Sequence, residues 1–391
     1  MRHALLVALS LLACGKPRGS TGLAGELAGT SASCELKKDL GADGATKLQV
    51  TTLASGLEVP WSIAFLPSGD ALVAERPGRI RWLRKSQASA SVELVPAPVA
   101  TIAVHRESEG GLLGLAVDPQ FASNRRIYVY FTAKRGDGTE NRVERWIVSE
   151  DGATAKLDRP LLEGIAAAKY HDGGRLRFGP DGMLWIATGD AREPDLSQKP
   201  ESPSGKLLRV TVDGAPAPGN PWPGNRAALM GIRNLQAFDF LDAQTIVLAD
   251  HGPSGELGRR GHDEISVARL GANLGWPTIW GCQARAGMIA PLVVFEDAVP
   301  PGGGVLYRAD RIPGWKGSFV VAALEAKSLH RFALDAAGAR VLSHEVYLRK
   351  AHGRLREVVV APDGALWVST SNCDSRGDCG DEKDRILRLS P

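Results

Sequence analysis

Apolar and polar residues alternate along most of this chain in short runs, and turns of the Pro-x-Gly or Pro-Asp-Gly type break the runs. Period-two alternation puts one face of a strand inside, whereas an amphipathic helix needs a period of about 3.6, and Gly and Pro interrupt too often here for long helices. From Leu48 onward one unit recurs: an apolar strand, a Pro-containing turn, a strand rich in Val, Ile, Leu and Trp, a polar turn and a closing strand. It is first seen in Pro60-Trp61-Ser62-Ile63-Ala64-Phe65-Leu66-Pro67-Ser68-Gly69 with strands over 71–75 and 79–83, then in Gly114-Leu115-Ala116-Val117-Asp118-Pro119 with 127–131. Further copies cover 176–188 with 206–212, 235–250 with 264–268, 304–307 with 318–323 and 329–334, and 358–369 with 385–389, six in all. Repeats of about 50 residues made of short antiparallel strands predict an all-β fold, a six-bladed β-propeller of four-stranded antiparallel blades, because ring closure leaves few exposed strand edges. The early strand over 48–53 is expected to complete the blade that ends at Pro391 and so close the ring. Two stacked β-sandwiches compete with this reading, but the recurring turn argues against them.

Composition adds limits. The 391 residues suffice for two or three average domains or for one large β domain. With 43% hydrophobic and 23% charged residues, 45 Gly and 24 Pro, the chain is a turn-rich globular one with ample material for a core. Its 47 basic and 44 acidic residues leave a net charge of +3 and no polybasic block, so no nucleic-acid partner is expected and any anionic ligand must be met by a local cluster. The basic start Met1-Arg2-His3 and the apolar run 4–13 have the layout of a secretory signal and are too short to span a bilayer. Leu11-Leu12-Ala13-Cys14 resembles a bacterial lipobox. That predicts a lipoprotein-type signal over 1–14 and an exported protein of the periplasm or cell surface, attached to a membrane only through lipid on Cys14, with cleavage as an ordinary signal peptide as the alternative. Residues 15–46, rich in Gly, Ser, Ala and Thr, read as a flexible tether, which leaves 47–391 for the propeller. The remaining four cysteines suit disulfides in an exported protein: the short loop favours Cys373 with Cys379, leaving Cys34 with Cys282. A metal site is the alternative, but no Cys-x-x-Cys or His cluster accompanies them.

The stretch Tyr170-His171-Asp172-Gly173-Gly174-Arg175-Leu176 is followed by a Pro-Asp-Gly turn and a second strand ending in Gly189-Asp190, so an imidazole and a carboxylate can meet at one end of a hairpin. By itself a His at a turn is more often a cap than a base. Arg354 and Arg356 lie two apart, which in a strand points both to one face.

An ordered set of phrases changes the weighing. Gly56-Leu57-Glu58-Val59-Pro60-Trp61, Glu109-Gly110-Gly111-Leu112-Leu113-Gly114-Leu115, His171-Asp172-Gly173-Gly174-Arg175-Leu176, Gly231-Ile232-Arg233-Asn234-Leu235-Gln236, His251-Gly252-Pro253, His262-Asp263-Glu264-Ile265, Asn273-Leu274-Gly275-Trp276-Pro277 and Arg354-Leu355-Arg356-Glu357 follow one another. Together they resemble the soluble quinoprotein glucose/sorbosone dehydrogenase family, the aldose sugar dehydrogenases that use pyrroloquinoline quinone, over almost the whole chain from about residue 53 to 389. The resemblance implies His171 as general base for an anomeric hydroxyl, with Asp190 setting its tautomer. An ordinary imidazole, with a pKa near ~6.5, is available in its neutral form near pH 7. It further implies Arg233, Asn234, His251, Arg354 and Arg356 around the quinone, where guanidinium groups fork onto carboxylates, and calcium on main-chain carbonyls of Gly252 and Pro253. The implied partners are an aldose sugar and a cytochrome or membrane quinone that takes the electrons. Glu325 stands where the family offers a non-acidic residue, and an acid there repels a tricarboxylate unless it turns away or is protonated. Two other classes stay open: a non-catalytic propeller that binds carbohydrate or protein at the same face, and a calcium-dependent lactonase.

Overall fold

The computed structural model describes residues 34–86, 91–256, 258 and 260–391. Among these the strands form six sheets, each a meander in which consecutive strands pair antiparallel. Blade 1 is Pro60–Phe65, Ala71–Glu75, Arg79–Lys85 and Val92–Leu94, and blade 2 is Leu112–Val117, Arg126–Arg135, Gly138–Val148 and Ala155–Ala166. Blade 3 is Leu176–Phe178, Leu184–Ala187, Leu207–Val210 and Ala227–Leu229; blade 4 is Leu235–Phe240, Thr245–Asp250, Glu264–Arg269 and Val293–Phe295. Blade 5 is Pro301–Tyr307, Ser318–Ala323, Ser328–Leu334 and Val341–Tyr347. Blade 6 takes Leu355–Val360, Leu366–Thr370 and Asp384–Ser390 from one end of the chain and Gln49–Leu57 from the other, paired antiparallel to Asp384–Ser390. This is the expected six-bladed propeller with the expected closure. Among the described residues, helix is confined to one turn at Phe121–Asn124 and a 3-10 turn at Pro194–Gln198.

The core lies in the seams. Leu72 and Ile80 of blade 1 pack with Leu112 and Val129 of blade 2, and the same pattern repeats around the ring until Ile63 and Val73 meet Val359 and Trp367 of blade 6. Each seam buries both faces of the participating sheets, which is why strands such as Thr245–Asp250 and Ser318–Ala323 are buried at every position rather than at alternate ones. Burying each large aliphatic side chain contributes roughly 1.5–3 kcal/mol, so ring closure and core formation are one event.

Two expectations need correction. Residues 34–46, read as part of a tether, lie on the propeller: Glu35–Lys37 adds a parallel strand to the outer edge of blade 4, Ala42–Asp43 does the same on blade 5, and Cys34 is bonded to Cys282. Main-chain hydrogen bonds to an outer edge need no apolar side chains, so composition carried no sign of this docking. Blade 2 is also longer than its repeat predicts, since Arg126–Arg135 and Gly138–Val148 pair as a ten-residue ladder. The second disulfide joins Cys373 and Cys379, as expected. The signal sequence, Cys14 and the rest of the proposed tether lie outside the described residues.

The meander also decides where chemistry collects. In each of blades 4, 5 and 6 the start of the first strand faces the end of the second: Leu235 opposite Asp250, Pro301 opposite Ala323, Leu355 opposite Thr370. The first strands of neighbouring blades stand side by side around the central channel. Loops at these ends therefore converge on one mouth of that channel.

Candidate active site

A cavity of about 600 Å³ opens there, walled by Trp61, Leu113, His171, Arg233, Asn234, Gln236, His251, Glu256, Arg354 and Arg356 among others. His171 precedes the first strand of blade 3 and Asp190 follows its second strand, so the hairpin brings them together, with His171 Nδ1 2.7 Å from Asp190 Oδ1. The carboxylate accepts, so Nδ1 carries the proton and Nε2 is left to face the cavity. Asp190 is fully buried and accepts two further hydrogen bonds, from the main-chain N–H of Arg192 at 2.8 Å and from Trp276 Nε1 at 2.8 Å.

The loop that carries the imidazole is held in an unusual shape. His171 has φ 69°, a left-handed conformation that non-glycine residues seldom adopt, and its N–H is held by Glu109 Oε2 at 3.0 Å. Gly173 has φ 66°, and a Cβ there would lie 2.6 Å from the main chain of Thr188 and Gly189, so only glycine lets the two hairpin ends approach. Asn234 Oδ1 accepts the Gly173 N–H at 3.0 Å. Asn234 thus braces the His171 loop as well as lining the cavity.

The guanidinium groups form an arc on the other wall. Arg354 donates to Asp374 at 3.0 Å and to Glu325 at 3.2 Å; Arg356 makes one 3.4 Å contact with Gln236 and its guanidinium lies 5.7 Å from the Trp61 ring. Arg233 pairs with Glu256, whose carboxylate also lies 3.4 Å from His171 Nε2. Arg233 is 1% and Arg356 7% exposed, yet Arg233 Nε and Nη1 and Arg356 Nε have no hydrogen-bond partner. Those nitrogens are shut off from the cavity, but both guanidinium groups line it together with Arg354, and three cations on one wall suit an anionic ligand. Burial, with Arg354 and Arg76 nearby, brings the Arg356 pKa down to about 9 despite the pull of Asp374.

Other groups are tuned by burial too. His251 donates Nε2–H to Pro301 O at 2.7 Å and is brought down by burial to about 3, so it stays neutral. Asp172 is pushed up to about 7 by burial, with the Glu109 charge adding to the effect. Partial burial works against the Glu256 charge, but the Arg233 guanidinium outweighs it and holds that carboxyl down at about 2. Gly252 and Pro253 stand behind the main cavity, lining a small space of about 20 Å³ with Arg233, His251 and Trp276. Asp263 Oδ1 fixes the Gly252 N–H at 3.0 Å, and a Cβ on Gly252 would collide with Gly261 O at 2.2 Å. Among the described residues no cluster of three or more His, Cys, Asp or Glu side chains is arranged to hold a metal.

All the anticipated side chains around the quinone line the cavity together with His171, and Asp190 stands directly behind His171. Glu256, Arg192 and Arg376 were not anticipated, and Asp172 and Gln236 stood inside family-like phrases with no role given. Trp61 and Glu109 sat inside family-like phrases without a role. Arg376 reaches the rim because the Cys373–Cys379 loop presents it, and it pairs there with Glu109 at 3.2 Å. Glu325 lines the open rim of the cavity: its side chain is 64% exposed and its carboxylate accepts from Arg354 Nη1 at 3.2 Å, so the acid sits beside the site with its charge paired and solvated.

Residues 57–379 match the model of the glucose/sorbosone dehydrogenase family. The chain belongs to that family. It is accordingly an enzyme, a sugar dehydrogenase. A candidate glucose dehydrogenase from Thermus thermophilus superposes with a TM-score of 0.78 at 41% identity, covering 88% of this chain and 100% of that one. The pyrroloquinoline quinone-bound aldose sugar dehydrogenase from Streptomyces coelicolor gives a TM-score of 0.77 at 34% identity, covering 88% and 98%. The aldose sugar dehydrogenase YliI of Escherichia coli is 30% identical over 368 residues, 88% of this chain and 93% of its own. These members of the family span the whole propeller, so the likeness extends to every blade that contributes to the cavity.

Proposed function

We propose that this sugar dehydrogenase oxidises aldoses to lactones with pyrroloquinoline quinone as its cofactor and His171 as the base. One observation carries the reading: the buried guanidinium groups of Arg233, Arg354 and Arg356 line the same cavity as an imidazole whose tautomer is fixed by a buried carboxylate. A polycarboxylate satisfies the first and a hydroxyl proton the second. When bound, the quinone supplies the hydride acceptor that no protein side chain provides.

The chain's own residues do the rest. Asp190 keeps the Nδ1–H of His171 in place, so Nε2 presents a lone pair to the anomeric hydroxyl, and the carboxylate then stabilises the imidazolium that forms. Arg233, Arg354 and Arg356 would hold the cofactor carboxylates, and Trp61 and Leu113 give the same cavity an apolar wall. His251, neutral and tied to Pro301 O, adds a flat face without a charge. Calcium belongs to the same proposal: the carbonyls of Gly252 and Pro253 are hard oxygen ligands on a turn that Asp263 fixes from behind. Export to the periplasm or cell surface, with lipid on Cys14, fits the two disulfides. The electron acceptor in this reading would be a cytochrome or a membrane quinone.

The test is reconstitution. Apoprotein given calcium and pyrroloquinoline quinone should shift the quinone absorbance and reduce a dye when aldoses are added. His171→Gln should keep the absorbance shift and lose roughly 10²–10⁴-fold in kcat, the usual worth of a general base. Retained activity in that variant removes His171 as the base. Absence of any absorbance shift removes the cofactor and favours a binding propeller, and lactone hydrolysis without quinone favours the hydrolase.

A further inference from the structure

We propose that Trp276 is a positioning residue for proton abstraction: its indole N–H sets the charge and orientation of Asp190, and through it the basicity of His171. This rests on the reading of His171 as base. Trp276 is 5% exposed and does not line the main cavity, so it does not touch substrate. Its Nε1–H donates to Asp190 Oδ2 at 2.8 Å, while Oδ1 is taken by His171 and the Arg192 N–H. The indole is thus the partner of the one carboxylate oxygen that His171 leaves unused.

The placement of the indole is over-determined. The Trp276 N–H donates to Gly231 O at 3.0 Å, its carbonyl accepts from Gln198 Nε2 at 2.7 Å, and Asn273 Oδ1 takes the Gly275 N–H at 2.9 Å. Gly231 lies two residues before Arg233 and Gln198 ends the turn that follows Asp190, so the indole is clamped between the segments that carry the cofactor cation and the base's partner. The Arg233 guanidinium lies 5.5 Å from the indole ring centroid, and the other charged or titratable groups facing His171 and Asp190 are Glu256, 3.4 Å from Nε2, Glu109 on the His171 N–H, His251 and Asp250, none of which takes the indole N–H. A buried carboxylate with a donor on each oxygen cannot rotate, and each hydrogen bond to it draws off charge.

Trp276→Phe removes the donor and keeps most of the ring. Asp190 then carries more charge toward His171 and holds the imidazolium more strongly, so the neutral base is lost at higher pH. The acid limb of the kcat/KM profile should move upward by roughly one pH unit, so that activity falls by up to roughly tenfold on the acid side of the limb and is little changed on its plateau, with KM little changed. In the apoprotein the proton resonance of His171 Nδ1–H should move as its acceptor changes. If the Phe variant folds poorly, benzothienylalanine at position 276 replaces the N–H by sulfur within the same bicyclic shape. A lowered melting temperature with an unmoved acid limb and an unmoved Nδ1–H resonance overturns the proposal and leaves Trp276 a packing residue. The resonance is read without turnover, so it separates this outcome from failure of the His171 assignment, which His171→Gln reports.

Discussion

Glu256 sits where an anionic ligand should. Its carboxylate pairs with Arg233, lies 3.4 Å from His171 Nε2 and accepts the Ser254 N–H at 2.6 Å, so without ligand the protein covers its own cation and its own base. Glu256→Gln keeps the shape and removes the charge. The replacement amide oxygen still accepts from the charged guanidinium, so what is lost is the attraction between two full charges, about 1.5 kcal/mol, the spread of charge-assisted hydrogen bonds from about 1.5 to 3 kcal/mol. An incoming cofactor carboxylate that replaces Glu256 on Arg233 no longer competes with that difference, and its Kd should fall about tenfold. The apoprotein should change in the opposite sense: Arg233, 1% exposed with two donor nitrogens already unpaired, loses its counter-charge, and Tm should drop by about 2 °C or more. Titration of pyrroloquinoline quinone by tryptophan fluorescence quenching, alongside melting curves with and without it, measures both. Unchanged or weaker cofactor binding in Glu256→Gln refutes the idea of an internal competitor, and lower stability in both states makes Glu256 an ordinary structural partner.

Other outcomes follow from the same geometry. Asp172 is buried with Oδ2 unpaired, and its folded value of about 7 lies above the ordinary 3.8. The folded state therefore holds a proton that the unfolded state has released between about pH 4 and 7, and this group's contribution to stability is full below that window and lost as pH rises through it. Asp172→Asn should flatten the fall in Tm from pH 4 to 7 and be the more stable protein above pH 7, by up to about 4 kcal/mol; a wild-type slope that persists in the variant contradicts the burial argument. Glu325→Gln should release Arg354 from its exposed partner and tighten pyrroloquinoline quinone binding about two- to fivefold, less so at high salt, because exposed ion pairs are worth about 0–1 kcal/mol. Weaker binding in that variant shows that Glu325 orients Arg354 rather than competing for it.

The legible part of the site is the part that one hairpin supplies. His171 and Asp190 lie 19 residues apart across a single Pro-Asp-Gly turn, and antiparallel pairing alone brings them within 2.7 Å. Arg354 and Arg356 were placed on one face by strand periodicity, and both line the cavity. Trp276 meets Asp190 across 86 positions and Arg356 meets Gln236 across 120, and no local pattern encodes such distances. Glu256 sits in an irregular loop where neither periodicity nor spacing constrains a side chain.

Alternation and turn chemistry, both short-range properties, determined the strand content, the six repeats and the ring closed by residues near both chain ends. Loop convergence at one mouth of the channel decided which side chains share the cavity and which carboxylate covers the Arg233 guanidinium. It also decided that residues 34–46 lie along the outer edges of two blades, through main-chain bonds to which composition is blind. The division is physical: a strand is specified by neighbours two residues away, whereas an electrostatic site is specified by groups that only ring closure brings within a few ångströms of one another.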